Sequence, residues 1–140
     1  MPTIDHNRYY ADYRAQFGYT DAQAAAMDAY RERNIATARR AFSAGVPFAM
    51  GSDAVFTMFG QNTRELGWFV KIGMSPAQAL ATATVNGARL LGREKELGAI
   101  APGYYADIVA VQGNRLADTN LVIDRVRWVM KGGIVFVDRR

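Results

Sequence analysis

The sequence predicts an α/β fold in two parts, residues 1–92 and 93–140, on three observations. The first is a helix, glycine, apolar-strand step from Thr20 to Met50, the unit from which parallel sheets are built. The second is a helix-start signature repeated at Thr20, Asn62 and Ser75. The third is a change of pattern near residue 93, after which turn residues separate short apolar runs.

The first part is organised around Gly51-Ser52-Asp53. Val46-Pro47-Phe48-Ala49-Met50 reads as a short apolar strand ending in a small-residue turn. An acid just past the C-terminal end of a buried parallel strand stands where α/β folds present catalytic groups. The competing reading is that Asp53 caps a turn.

Upstream, residues 1–19 are aromatic and polar without a clean period, which predicts a loop with at most one irregular helical turn. They hold the sole histidine, His6, which reads as a hydrogen-bonded structural residue because no second histidine stands at ligand spacing. In Thr20-Asp21-Ala22-Gln23 a hydroxyl at N-cap and Gln at N3 can satisfy two amides reciprocally, so a helix is predicted to about Ser43. Its apolar face holds Met27, Tyr30, Ile35, Ala38, Ala41 and Phe42, with Arg31 and Asn34 intruding.

After Asp53, Val55-Phe56-Thr57-Met58-Phe59 predicts a loop whose apolar groups could line a pocket, cover one end of the fold or make a subunit contact. Asn62-Thr63-Arg64-Glu65 reads as a second capping box opening a short helix to about Ile72, with Arg64 and Glu65 assigned to capping and packing. Ser75-Pro76-Ala77-Gln78 is the third. Its helix is predicted to run to about Leu91, with Leu80, Ala83, Thr84, Gly87 and Leu91 as the packing stripe. Beyond it, strands are predicted at 106–111, 126–130 and 134–137, with a weaker one at 121–123; Lys131-Gly132-Gly133 turns the last pair into a hairpin.

Composition narrows the function classes. Half of the 140 residues are hydrophobic and 21% are charged, a globular balance. No apolar run approaches a membrane span of roughly 20 residues, and the N-terminal residues lack an apolar signal core, so cytoplasm and periplasm both stay open. There is no cysteine, which excludes thiolate chemistry and disulfides. The net charge of +4 is scattered, as in Arg31-Glu32-Arg33, with no clustered basic face for nucleic acid. Arg139-Arg140 reads as a frayed, solvated tail.

Several motifs occur in one order. They are Gly45 through Ala54, Asn62-Thr63-Arg64-Glu65-Leu66, Gly73 through Thr84, Asn86 through Gly92, Leu97 through Val109, and Val129-Met130-Lys131-Gly132-Gly133. Each alone is weak. The ordered set resembles the C-terminal third of the metal-dependent amidohydrolases, in the branch of imidazolonepropionase-like and Xaa-Pro dipeptidase-like enzymes.

The resemblance implies a (β/α)8 barrel with a small β-sandwich beside it. Residues 46–50 would be barrel strand eight, and 93–140 would belong to the sandwich. Asp53 would match the strand-eight aspartate, which touches zinc or another divalent metal and acts as general acid/base. It would take a proton from metal-activated water and deliver it to the leaving nitrogen of a small amide, cyclic amide or dipeptide.

The departures are equally informative. The family's His-x-His pair and its further ligands on strands four to six are not here. His6 would fall near the end of strand seven, which supplies no ligand, and the loop that often reads Pro-His-Gly reads Met58-Phe59-Gly60. One carboxylate cannot hold a catalytic zinc, and one strand cannot close a barrel. The expectation is therefore a fragment of a C–N hydrolase, catalytically silent alone and binding no metal stably. The alternative from another class is a non-catalytic module that forms a homo-oligomer, or a subunit that complements a longer chain.

Overall fold

The computed structural model describes residues 1–114, 116–119 and 121–139, so Arg140 of the basic tail lies outside them. The chain is α/β: helices α1 (Ile4–Asp12), α2 (Asp21–Ser43), α3 (Glu65–Lys71), α4 (Pro76–Ala83) and α5 (Val85–Leu90) precede strand β1 (Ile108–Val111). A one-turn helix α6 (Leu121–Asp124) then leads to β2 (Val126–Lys131) and β3 (Ile134–Asp138). No helix among the described residues is long and apolar enough to cross a membrane.

Two predicted capping boxes are present. Thr20 Oγ1 accepts from Gln23 N at 3.3 Å while Gln23 Oε1 accepts from Thr20 N at 2.9 Å. Ser75 and Gln78 repeat the exchange at the start of α4, with Pro76 in the first turn. Helix α2 buries Ala24 and Ala38 and packs Ile35 and Phe42 on the core. Asn34 is satisfied by donating to Pro2 O at 2.9 Å. Tyr30 departs from the expected face and is 53% exposed, with the Arg33 guanidinium carbon 5.9 Å from its ring centroid.

Phe69 is the centre of the core, with Ile4, Ala38, Leu66, Ile72, Met74 and Ala79 buried around it. Its ring meets Phe48 edge-on at 5.8 Å between centroids, and Phe48 meets Phe42 in the same way. The core thus joins α1, α2, α3 and α4 beneath the segment that carries Asp53.

Five expectations fail. Residues 4–12 are a helix, not a loop. Thr3 caps it with no side-chain bond and lies at φ 50°, so the helix-start signal lies elsewhere in the chain. Residues 46–50 form no strand, because no parallel partner lies beside them among the described residues. Their polar groups go instead to the helices: Met50 N donates to Thr82 O at 2.9 Å and Asn86 Nδ2 to Phe48 O at 3.0 Å.

Residues 62–64 are a 3₁₀ turn without a cap, because Asn62 Nδ2 donates to Ser52 Oγ at 3.0 Å. The predicted third helix breaks at Thr84 (φ −124°, ψ −101°), where Gly98 packs so close that a Cβ would stand 2.8 Å from Thr84 O. That break rotates the packing stripe to Ala79, Thr82 and Ala88, leaving Leu91 69% exposed. Residues 121–124 are a helical turn, not a strand.

The sheet has the order β1-β2-β3 and is antiparallel throughout, with irregularities at Ala110/Val111 and Val129/Met130. Gly132 (φ 56°) and Gly133 (φ 83°) make the tight hairpin turn, which needs two left-handed residues. Gly132 N also donates to Asp107 Oδ1 at 2.7 Å. Apolar groups stay in water on this sheet: Val109 is 57% exposed, Ile134 66% and Phe136 67%.

Candidate functional site

The chain leaves the core at Ala49, passes Gly51 and the buried Ser52, and turns outward at Asp53. Asp53 lies at φ 48°, in the left-handed region, where Asp is tolerated better than most residues. Phe56, three residues on, lies at φ 46°. A bulky residue held there marks a constrained turn, and such turns gather at functional sites. The Asp53 side chain is 66% exposed, so the carboxylate is free to meet a ligand.

His6, in the first turn of α1, stands beside it. Its Nδ1 lies 2.6 Å from Asp53 O and 3.5 Å from Asp53 Oδ2. A carbonyl oxygen only accepts, so Nδ1 is the donor in this contact. Tyr10 meets the His6 ring edge-on at 5.0 Å. Behind this pair Tyr9, Phe17 and Phe56 form an aromatic cluster, and Thr57 Oγ1 donates to Tyr9 Oη at 3.1 Å. Of the apolar loop, Met58 is buried, whereas Phe56 and Phe59 are 61% and 73% exposed.

Glu65 holds this arrangement from below. It is completely buried, and Oε1 and Oε2 accept from Ile4 N and Asp5 N, each at 2.9 Å. These are two of the amide groups that a helix start leaves unpartnered. Glu65 therefore does cap a helix, but α1 and not its own. Asp5 Oδ1 in turn accepts from Trp68 Nε1 at 3.0 Å and from Arg8 Nε at 2.8 Å. Arg8 also bonds Asp12.

Burial pushes the Glu65 carboxyl up to about 7, against the two amide bonds that pull it down. The folded chain therefore holds a proton that an unfolded carboxyl releases above its ordinary value of 4.5. This contribution is complete below about pH 4.5 and is lost as pH climbs through about 7. Melting curves between about pH 4 and 8 should show that decline, and Glu65→Gln should remove it; parallel profiles for the two proteins would refute it.

The residues here do not by themselves fit a zinc site. Among the described residues no three His, Cys, Asp or Glu side chains converge. Asp53 brings one carboxylate, and His6 has committed Nδ1 to a main-chain oxygen. A catalytic zinc takes three protein ligands. A cleft of about 440 Å³ between α1 and α3, lined by Asp5, Arg8, Arg64, Trp68 and Lys71, does not include Asp53. What the site can do chemically is present an exposed acid, backed by an imidazole, to a molecule arriving from solvent.

Sequence reasoning singled out Asp53 but did not pair it with His6 or place Glu65 under α1. Both links span long stretches of chain, and neither leaves a local pattern.

Comparison with known proteins bears on this geometry. Residues 8–135 match the amidohydrolase family. An imidazolonepropionase of Shouchella clausii is 32% identical over 110 residues, 74% of this chain and 24% of that protein. An ochratoxinase of Aspergillus niger is 32% identical over 116 residues, 80% of this chain and 24% of that one. Among solved structures, a Xaa-Pro dipeptidase with bound methionine superposes with a TM-score of 0.85 at 30% identity, covering 98% of this chain and 34% of that one. A prolidase complexed with N-methylphosphonate-L-proline gives 0.82 at 28% identity, over 96% and 33%. The chain thus spans about a quarter of the length of the curated relatives it matches. On its sequence and on its fold, this chain belongs to the amidohydrolase family.

Proposed function

We propose that these residues are the C-terminal part of a larger hydrolase of carbon–nitrogen bonds. Residues 1–92 supply the end of a (β/α)8 barrel and 93–140 part of a β-sandwich. Asp53 is the general acid/base and one ligand of a divalent metal whose other ligands lie in polypeptide beyond this stretch. The observation that carries the reading is Asp53 itself: an exposed carboxylate on a constrained turn, with an imidazole against its backbone.

In this reading the oxygen of a water attacks the carbonyl carbon of a small amide, cyclic amide or dipeptide. The Asp53 carboxylate takes the proton that the water gives up. As the C–N bond breaks, the same proton passes to the departing nitrogen and Asp53 is ionised again. A carboxylate in hydrogen-bond reach contributes roughly 10²- to 10⁴-fold in such transfers. The relatives named for dipeptides, imidazolonepropionate and ochratoxin support the C–N class without selecting one substrate.

The exposed apolar groups of β1 and β3 favour a larger assembly. They suit both further polypeptide and a second copy of this chain in a non-catalytic module. Isolation of the native polypeptide separates the two. The expected product is much heavier than 15.4 kDa and releases free amine from dipeptide or cyclic amide substrates. A stable oligomer of 15.4 kDa chains without hydrolytic activity would favour the module. A 15.4 kDa chain hydrolysing amides unaided would overturn the proposal.

A further inference from the structure

The turn that presents Asp53 is fixed from outside its own loop. Asp53 and Phe56 both occupy the left-handed region, which Asp enters more easily than most residues but a bulky residue such as Phe56 keeps only where the surroundings hold it. At Asp53 the contact from outside is His6 Nδ1, 2.6 Å from the main-chain oxygen. The distance from the same nitrogen to Oδ2 is 3.5 Å, beyond an ordinary hydrogen bond. His6 therefore makes its shorter contact to the backbone, and the Asp53 side chain remains 66% exposed.

His6 is itself well anchored. It lies in the first turn of α1, where Glu65 holds the amides of Ile4 and Asp5 and Trp68 holds the Asp5 side chain. Both anchors belong to α3, which also carries Leu66 and Phe69 into the core. A continuous set of short contacts thus runs from the core through α3 and α1 to the backbone of Asp53.

We propose that His6 is a positioning residue for Asp53, held in register by Glu65 and Trp68. The inference rests on Asp53 being the general acid/base. Its mechanism is geometric: with the carbonyl tethered, the peptide plane after Asp53 is held, and so is the place from which the side chain leaves the backbone. A displacement of about 1 Å at a reacting group costs on the order of 100-fold in rate.

The test uses the complete enzyme and three replacements. His6→Ala removes the donor. His6→Asn keeps an N–H where Nδ1 stood. His6→Gln places its amide near the Nε2 position instead. Turnover number should fall about 10- to 100-fold in His6→Ala and His6→Gln, with KM within about 2-fold. His6→Asn should recover to within about 3-fold of the parent, at a similar melting temperature. A crystal structure of His6→Gln should show Asp53 leaving positive φ.

Unchanged turnover in His6→Ala would overturn the proposal. So would a His6→Asn as slow as His6→Gln, since the ring would then act by more than its Nδ1 donor. If Ala prevents folding, the Asn and Gln pair still decides. The two readings can fail separately: Asp53→Asn at full turnover sinks the acid/base role and the positioning role together. An inactive Asp53→Asn beside a fully active His6→Ala sinks positioning alone.

Discussion

Asp53→Asn in the complete enzyme is expected to reduce hydrolysis by at least about 100-fold while leaving the melting temperature nearly unchanged. The two halves of that expectation have separate physical origins. Activity falls because an amide cannot take a proton from water and return it to nitrogen. Stability holds because the side chain is 66% exposed and because Asn tolerates the left-handed region as Asp does, so the turn at φ 48° survives. Initial rates on a dipeptide or cyclic amide and a thermal melt of the same preparation measure both. A variant that melts far below the parent would mark Asp53 as a structural turn residue and end its catalytic assignment.

Phe69→Ala is expected to have the largest effect on stability, about 3–5 kcal/mol. Phe69 is fully buried at the meeting point of α1, α2, α3 and α4, and its ring edge packs on Phe48. Alanine there leaves a cavity under the Asp53 segment, in a core whose close packing gives the neighbours little room to refill it. Urea unfolding of the parent protein and the variant, compared at equal slope, measures the loss. A loss below about 1 kcal/mol would mean that the neighbours refill the space and that Phe69 is not the centre of the core.

What could be read from the sequence was what is written locally. Thr20-Asp21-Ala22-Gln23 and Ser75-Pro76-Ala77-Gln78 complete their bonds within four residues, and α2 and α4 begin where those patterns say. Lys131-Gly132-Gly133 makes the hairpin because only glycine-rich dipeptides enter that turn easily. What could not be read depends on distant partners. Asn62 and Glu65 have the residue types of a capping box, yet Asn62 bonds Ser52 and Glu65 bonds α1. Thr84 looks like a helix interior until Gly98 presses on it. At the candidate site the same division holds: Asp53 follows an apolar run and is visible, whereas His6 acquires its meaning only from 47 residues away.

The tie between Glu65 and the amides of Ile4 and Asp5 also bears on the order in which the molecule assembles. Helix α1 has nine residues and no side-chain cap of its own, too short to persist in water unaided. Its clamp sits about 60 positions downstream, so during synthesis α1 has to wait, unstructured, until α3 has been made and has docked. The aromatic residues it carries stay uncovered for that interval, open to contacts they do not keep in the folded molecule.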